Sequence, residues 1–275
     1  MTVVVGVDVG SGRARKRTGL CRTRDVRFLV SRATSDDGNG LRADILPRRC
    51  DVLAIGGPVV PPGYPENARR GVERIFSVGA FQKHCRPAAS HVRGGGRQLR
   101  ATTTDCVRQL AKHVATSREL LIFPHVITGT SIVETFPNAF LAVMLDGDVG
   151  PARRSADRGA RFSWFLQRCR KEGRLAALRD RIDWPDVQMW QSLETCSNRD
   201  EQSALVCGLT AGCVVRKRYV AVGNLHEGYF FLPPWDLWAS WAKQGLAENR
   251  RLPECAAVEI WINGPPGDRR AVLPA

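Results

Sequence analysis

Val3-Val4-Val5-Gly6-Val7-Asp8-Val9-Gly10 is the stretch that decides how this chain folds. A nearly unbroken β-branched run of this length reads as a strand buried on both faces, the kind found inside a sheet covered by helices. Its single acid then needs an account. A carboxylate within a central strand requires a metal ion, a cation or a proton, unless it stands just past the strand end as a turn residue.

Outward from that strand, Gly10-Ser11-Gly12 and a basic segment to Thr18 form a turn. Gly19-Leu20-Cys21 and Val26 to Val30 suggest two further strands of a meander, and Asp51 to Ile55 is another buried strand, stopped by Gly56-Gly57-Pro58. From Glu66 the pattern becomes helical, Arg93-Gly94-Gly95-Gly96-Arg97 reads as a loop, and Thr104 to Val114 is a helix capped by Thr103 or Thr104. Ile132-Val133-Glu134-Thr135-Phe136 is a short strand followed by a helix over Ala139 to Leu145. A helix from Phe162 to about Leu178 follows. The last strong helix, Asp200 to Val215, carries a small-residue packing face through Ala204, Gly208 and Ala211. Strands that give way to alternating strands and helices indicate a mixed α/β layer fold. The expected organisation is one domain over 1–248, with a helical and loop insertion at about 62–130 after the fourth strand, and a C-terminal appendage over 249–275.

The 275 residues suffice for a hydrophobic core, and 43% hydrophobic with 25% charged residues excludes disorder and coiled coil. The net charge is +14, and only six of the 41 basic residues are lysine. Arginine forks suit phosphate oxygens, so nucleic acid, rather than a membrane surface, is the expected partner. No export signal is read before Asp8, and the apolar stretch Leu120 to Leu145 is interrupted by Pro124, Glu134 and Pro137. The nine cysteines show no CxxC spacing, which fits reduced thiols in a cytoplasmic protein. His84-Cys85 with His91 lacks a fourth nearby metal ligand.

Three acids sit where burial is costly or charge is directed. Asp8 is on the first strand, Glu134 lies within a later strand, and Asp200 opens the last helix after Asn198-Arg199. Together they suit hard-oxygen ligation of Mg²⁺ or Mn²⁺, and two such ions clamp an in-line phosphodiester displacement. Each has a plainer reading: Glu134 as the partner of an arginine, Asp200 as a cap or dipole partner of its helix.

Val5-Gly6-Val7-Asp8 with Gly19-Leu20-Cys21, Ala54-Ile55-Gly56-Gly57-Pro58, Phe81-Gln82-Lys83-His84-Cys85-Arg86-Pro87, Ser90-His91, Val133-Glu134-Thr135-Phe136-Pro137, Asp200 through Ala211 and Glu227-Gly228-Tyr229-Phe230-Phe231-Leu232-Pro233 occur in that order. In this series the chain resembles the predicted RNase-H-like nucleases grouped as domain-of-unknown-function family 429. The resemblance implies an RNase-H-like mixed sheet flanked by helices, with Asp8, Glu134 and Asp200 as catalytic residues and metal ligands. Asp8 would bridge the metals. His91, Ser203 and Glu201 are the accessory candidates. Two departures matter: the family carries Asp where this chain has Gly56, and Asp where it has Ser203. The expectation is therefore a metal-dependent nuclease or a degenerate relative of one.

Arg93, Arg97 and Arg100 around the glycine triplet, and Arg153 and Arg154 in a second basic run, are the candidate phosphate contacts. Trp235, Trp238 and Trp241 at helical spacing read as core or lid packing. Two other functions compete. One is an inactive RNase-H-like module that binds nucleic acid or protein. The other is a sugar-kinase or actin-like phosphotransferase, which needs a second phosphate loop and has only Asp148-Val149-Gly150 to offer.

Overall fold

A computed structural model describes residues 3–10, 17–24, 27–34, 50–85, 87, 89–114, 121–122, 131–147, 158–184 and 187–263. Arg153, Arg154, the segment 11–16 and Asp148-Val149-Gly150 lie outside the described residues. The class is α/β, as the sequence indicates.

Among the described residues, nine strands form one mixed sheet. They are β1 (Val4–Asp8), β2 (Arg17–Arg24), β3 (Arg27–Thr34), β4 (Val52–Gly56), β5 (Leu121–Ile122), β6 (Ser131–Thr135), β7 (Val220–Asn224), β8 (Gly228–Leu232) and β9 (Glu259–Ile262). The spatial order is β3-β2-β1-β4-β6-β8-β7-β9, with β5 also paired to β6. β3, β2 and β1 are antiparallel neighbours, β4 and β6 run parallel to β1, β8 joins parallel to β6, and β7 and β9 return antiparallel.

The period of two along the strands divides the core. Val4, Val52, Ala54 and Val133 pack on one face, against the helix α8 (Arg199–Val215). Val5, Val7, Leu53, Ile55 and Ile132 pack on the other, with Cys106 and Leu110 of α3 (Gly95–Val114). α8 lies directly on the β1 backbone. A Cβ added at Gly6 would stand 2.3 Å from both the Ala204 carbonyl oxygen and the Gly208 nitrogen. The small residues of α8 are thus a condition of the close approach.

The remaining helices are α1 (Gly71–Ile75), α2 (Gly79–His84), α4 (Pro137–Ala142), α5 (Arg158–Lys171), α6 (Arg174–Ile182), α7 (Val187–Thr195) and α9 (Ser240–Arg250). Two local expectations are corrected. The glycine triplet does not end a loop before Thr104, since α3 already begins at Gly95; Thr103 and Thr104 are interior residues whose hydroxyls donate to the Leu99 and Arg100 carbonyls. The expected helix from Phe162 breaks at Gly173, where φ is +70°, separating α5 from α6. Within the expected C-terminal appendage, β9 pairs with β7 along four register positions, so the sheet extends past residue 248.

Candidate functional site

A cavity of about 300 Å³ opens where β1, β4 and β6 end, beside the N-terminal turn of α8. Asp8, Gly56, Gly57, Asn138, Glu134, Thr135, Arg70, Arg199 and Ser203 line it, with Pro58, Pro137, Phe162 and Phe230 among its apolar walls. Crevices at the carboxyl ends of parallel strands are the usual ligand sites of open α/β sheets.

Register decides what the carboxylates can do together. Asp8 pairs with Gly56 across β1 and β4, while Ile55 pairs with Glu134 across β4 and β6. Neighbours in register share a face. Asp8 and Gly56 therefore belong to the α8 face: a Cβ at Gly56 would meet Asp8 Oδ1 at 2.8 Å and Cys207 Sγ at 3.1 Å. Glu134 belongs to the opposite face with Ile55, and its neighbour Thr135 takes the α8 side, its hydroxyl 2.8 Å from that of Thr210. Asp8 and Glu134 reach one cavity from opposite faces of the sheet.

Glu134 is fully engaged on its own face. Arg70 Nη1 donates to Oε2 at 2.7 Å and Nη2 to Oε1 at 2.8 Å, a bidentate pair, and the Val59 amide adds a bond to Oε2 at 2.9 Å. Arg70 is 1% exposed, and its Nε donates to Glu73 at 2.8 Å. Glu73 in turn accepts the Ser90 amide at 3.1 Å. One buried guanidinium thus serves two buried carboxylates. Burial pushes the Glu134 carboxyl up to about 7, against the opposing pull of Arg70. Burial also disfavours the Arg70 charge, but Glu134 and Glu73 more than offset it, so its proton is held more tightly than an ordinary arginine's.

Asp200 is not among the residues lining the cavity. On α8, Arg199, Ser203 and Cys207 recur every four residues along the cavity side, whereas Asp200 and Ala204 occupy the next stripe, against Gly19 of β2. The N-cap is Asn198, whose side chain accepts from the Asp200 and Glu201 amides at 3.0 and 3.3 Å. Glu201 Oε2 accepts the Cys196 thiol at 3.1 Å. Ser203, with Arg199, is turned toward Asp8's cavity, and it carries a hydroxyl where a metal centre calls for a carboxylate.

The three acids expected to hold Mg²⁺ or Mn²⁺ thus stand in different surroundings. Asp8 is the carboxylate of the α8 face, position 56 has no side chain, Ser203 is neutral, Glu134 is held by Arg70, and Asp200 sits on another stripe. Among the described residues, no three His, Cys, Asp or Glu side chains gather as a metal-holding group.

The arginines around the triplet also have structural employment. Arg100 donates to the Pro65 carbonyl at 2.9 Å and to that of Tyr64, and Arg97 Nε donates to the His91 carbonyl at 3.1 Å. Arg93 is exposed in the turn before α3. His91 lies with Nδ1 3.9 Å from Glu73 Oε2, outside the cavity lining. Trp238 and Trp241 donate their indole N–H groups to the Pro233 and Leu145 carbonyls, and His84 stacks on Trp241 at 3.8 Å. They are packing residues. No helix among the described residues is long and apolar enough to cross a membrane.

Arg70, Thr135, Asn138 and Arg199 are site residues that the sequence reading passed over. The spacing of Arg70 and Glu73, one turn apart, is the signal that bears on the first.

Comparison with family models, with curated proteins and with solved structures found no match to this chain.

Proposed function

We propose that the chain is an RNase-H-like module that binds nucleic acid at the cleft over β1, β4 and β6 without hydrolysing it through paired metal ions. The architecture supports the first half: an antiparallel β3-β2-β1 meander, then β4 and β6 parallel to β1, with α8 laid across the first strand. Fold alone does not establish function. One observation carries the second half: both oxygens of Glu134 are bound by Arg70, on the sheet face opposite Asp8.

Beside Asp8 and the Arg70–Glu134 pair, the cleft offers the Arg199 cation, neutral polar groups and apolar walls. Arg199 and the Ser203 hydroxyl suit a phosphate oxygen, Asn138 suits a base or sugar edge, and Phe162 with Pro58 and Pro137 gives an apolar surface for a base. The net charge of +14 favours approach to a polyanion.

Fluorescence anisotropy with labelled single-stranded and duplex DNA and RNA tests this reading, with each oligonucleotide re-examined for cleavage in Mn²⁺. The expected result is binding that weakens steeply with salt, intact oligonucleotides, and about tenfold or greater weakening in Arg199→Gln, as for loss of a charge-assisted hydrogen bond. Mn²⁺-dependent cleavage that disappears in Asp8→Asn would restore the nuclease reading. Failure to bind any of the four at low salt would shift the module toward a protein partner.

A further inference from the structure

A second cavity, of about 320 Å³, lies on the other side of the Arg70–Glu73 pair and is lined by Arg69, Glu73, Arg74, Ser77, Val78, Gln82, Pro87 and Ala89. Its construction follows from the chain around α1 and α2. Arg69 precedes α1, Arg74 lies in its last turn, and Ser77 lies in the link to α2. Ser77 ties the Arg69 guanidinium to the backbone at Arg74. Its hydroxyl accepts from Arg69 Nη2 and donates to the Arg74 carbonyl at 3.1 Å. The linker thus holds the Arg69 guanidinium, while the Arg74 side chain leaves the last turn of α1 beside it.

The charges at this cavity are only partly answered. Glu73, the acid in its wall, is already used by Arg70 and by the Ser90 amide. Arg74 Nη2 meets Glu254 Oε1 at 3.3 Å, in a pair whose side chains are 33% and 56% exposed, an arrangement of small net value. Arg74 Nε is buried with no hydrogen-bond partner. Burial, and then the neighbouring Arg74, lower the proton affinity of Arg69, so the pair of cations is mutually unfavourable as it stands.

We propose that this second cavity is an oxyanion site that takes a phosphate group between Arg69 and Arg74. Two guanidiniums supply forked donors matched to phosphate oxygens, and the Gln82 amide stands at the rim as a neutral donor. A phosphate there satisfies Arg74 Nε and relieves the Arg69–Arg74 repulsion. The site does not depend on the reading of the first cavity. The same chemistry is offered by free phosphate and by a nucleic-acid phosphodiester.

Two probes separate these sources: inorganic phosphate, and a thymidine dinucleotide whose single phosphate is a diester. Binding of each to the full chain is followed by ³¹P NMR line broadening and by thermal shift, against chloride at equal ionic strength. The expected result is saturable binding of at least one probe, weakened about tenfold or more in Arg69→Gln and further in Arg69→Gln/Arg74→Gln, with Arg108→Gln unchanged as a surface-charge control. The tighter-bound probe identifies the source. If removing Arg74 unfolds the chain through loss of Glu254, Arg69→Gln alone still decides, because that side chain is exposed. Absence of any saturable response in the wild type overturns the proposal. So does a response that survives in Arg69→Gln or falls equally in Arg108→Gln.

Discussion

At the end of β1, β4 and β6 the two faces of one sheet carry an acid each, and they treat it differently. On the α8 face, Asp8 stands beside a glycine, a hydroxyl at Ser203 and the buried Cys207 thiol, whose proton is held tightly by burial and then by the Asp8 charge. On the opposite face, Glu134 is clasped by Arg70 and capped by the Val59 amide. The difference teaches that an acid in a buried strand takes its role from the face that the pleat assigns it. A shift of one residue exchanges faces, and here it is Thr135, one position on, that shares the α8 side with Asp8.

That contrast can be broken most forcefully at Arg70. Arg70→Met leaves Glu73 and Glu134 buried without their cation, and should cost about 3–5 kcal/mol in urea unfolding. A loss below about 1 kcal/mol would mean the acids find other partners. Glu134→Gln keeps the shape and leaves Arg70 its bond to Glu73, so a smaller loss of about 2 kcal/mol is expected, near that of a hydrogen bond to a charged group.

The same residue sets a pH dependence. Glu134 holds its proton up to about 7 in the fold, above its ordinary value of 4.5, so the folded chain binds more protons than the unfolded one between those pH values. Its contribution to stability is fully present below about 4.5 and is lost as pH rises through about 7. Unfolding measured across that window should show this slope in the wild type and not in Glu134→Gln. The smallest effect belongs to the other face. Asp8→Asn removes a charge from a partly exposed strand end and should alter stability by no more than about 1 kcal/mol; a larger loss would show that Asp8 is as deeply committed as Glu134.

The strands and α8 were the legible part of this fold. The β-branched run at Val4–Asp8, the apolar run at Val52–Gly56 and the small-residue face of α8 read as buried strands and a closely packed helix, and each is one. Glycine is the residue whose structural use is least legible in this sequence. Gly95 and Gly96 lie in the first turn of a helix, where a Cβ at Gly96 would lie 1.9 Å from the Ala89 carbonyl oxygen, whereas Gly173 breaks one. The sequence shows the residue but not which use applies. β9 escaped because four residues carry too little period to stand out. In the site, Asp8 and Glu134 were visible as costly acids, and an arginine partner for Glu134 was one of the readings left open. Which arginine, 64 positions away, and which face, are set by the β4–β6 register, and no local pattern reports that.

Binding of Mn²⁺ to the intact chain, counted by electron paramagnetic resonance, tests the opposed-face arrangement most directly. The account predicts no pair of ions whose binding requires both Asp8 and Glu134. Two ions per chain, lost together in Asp8→Asn and again in Glu134→Gln, would contradict it.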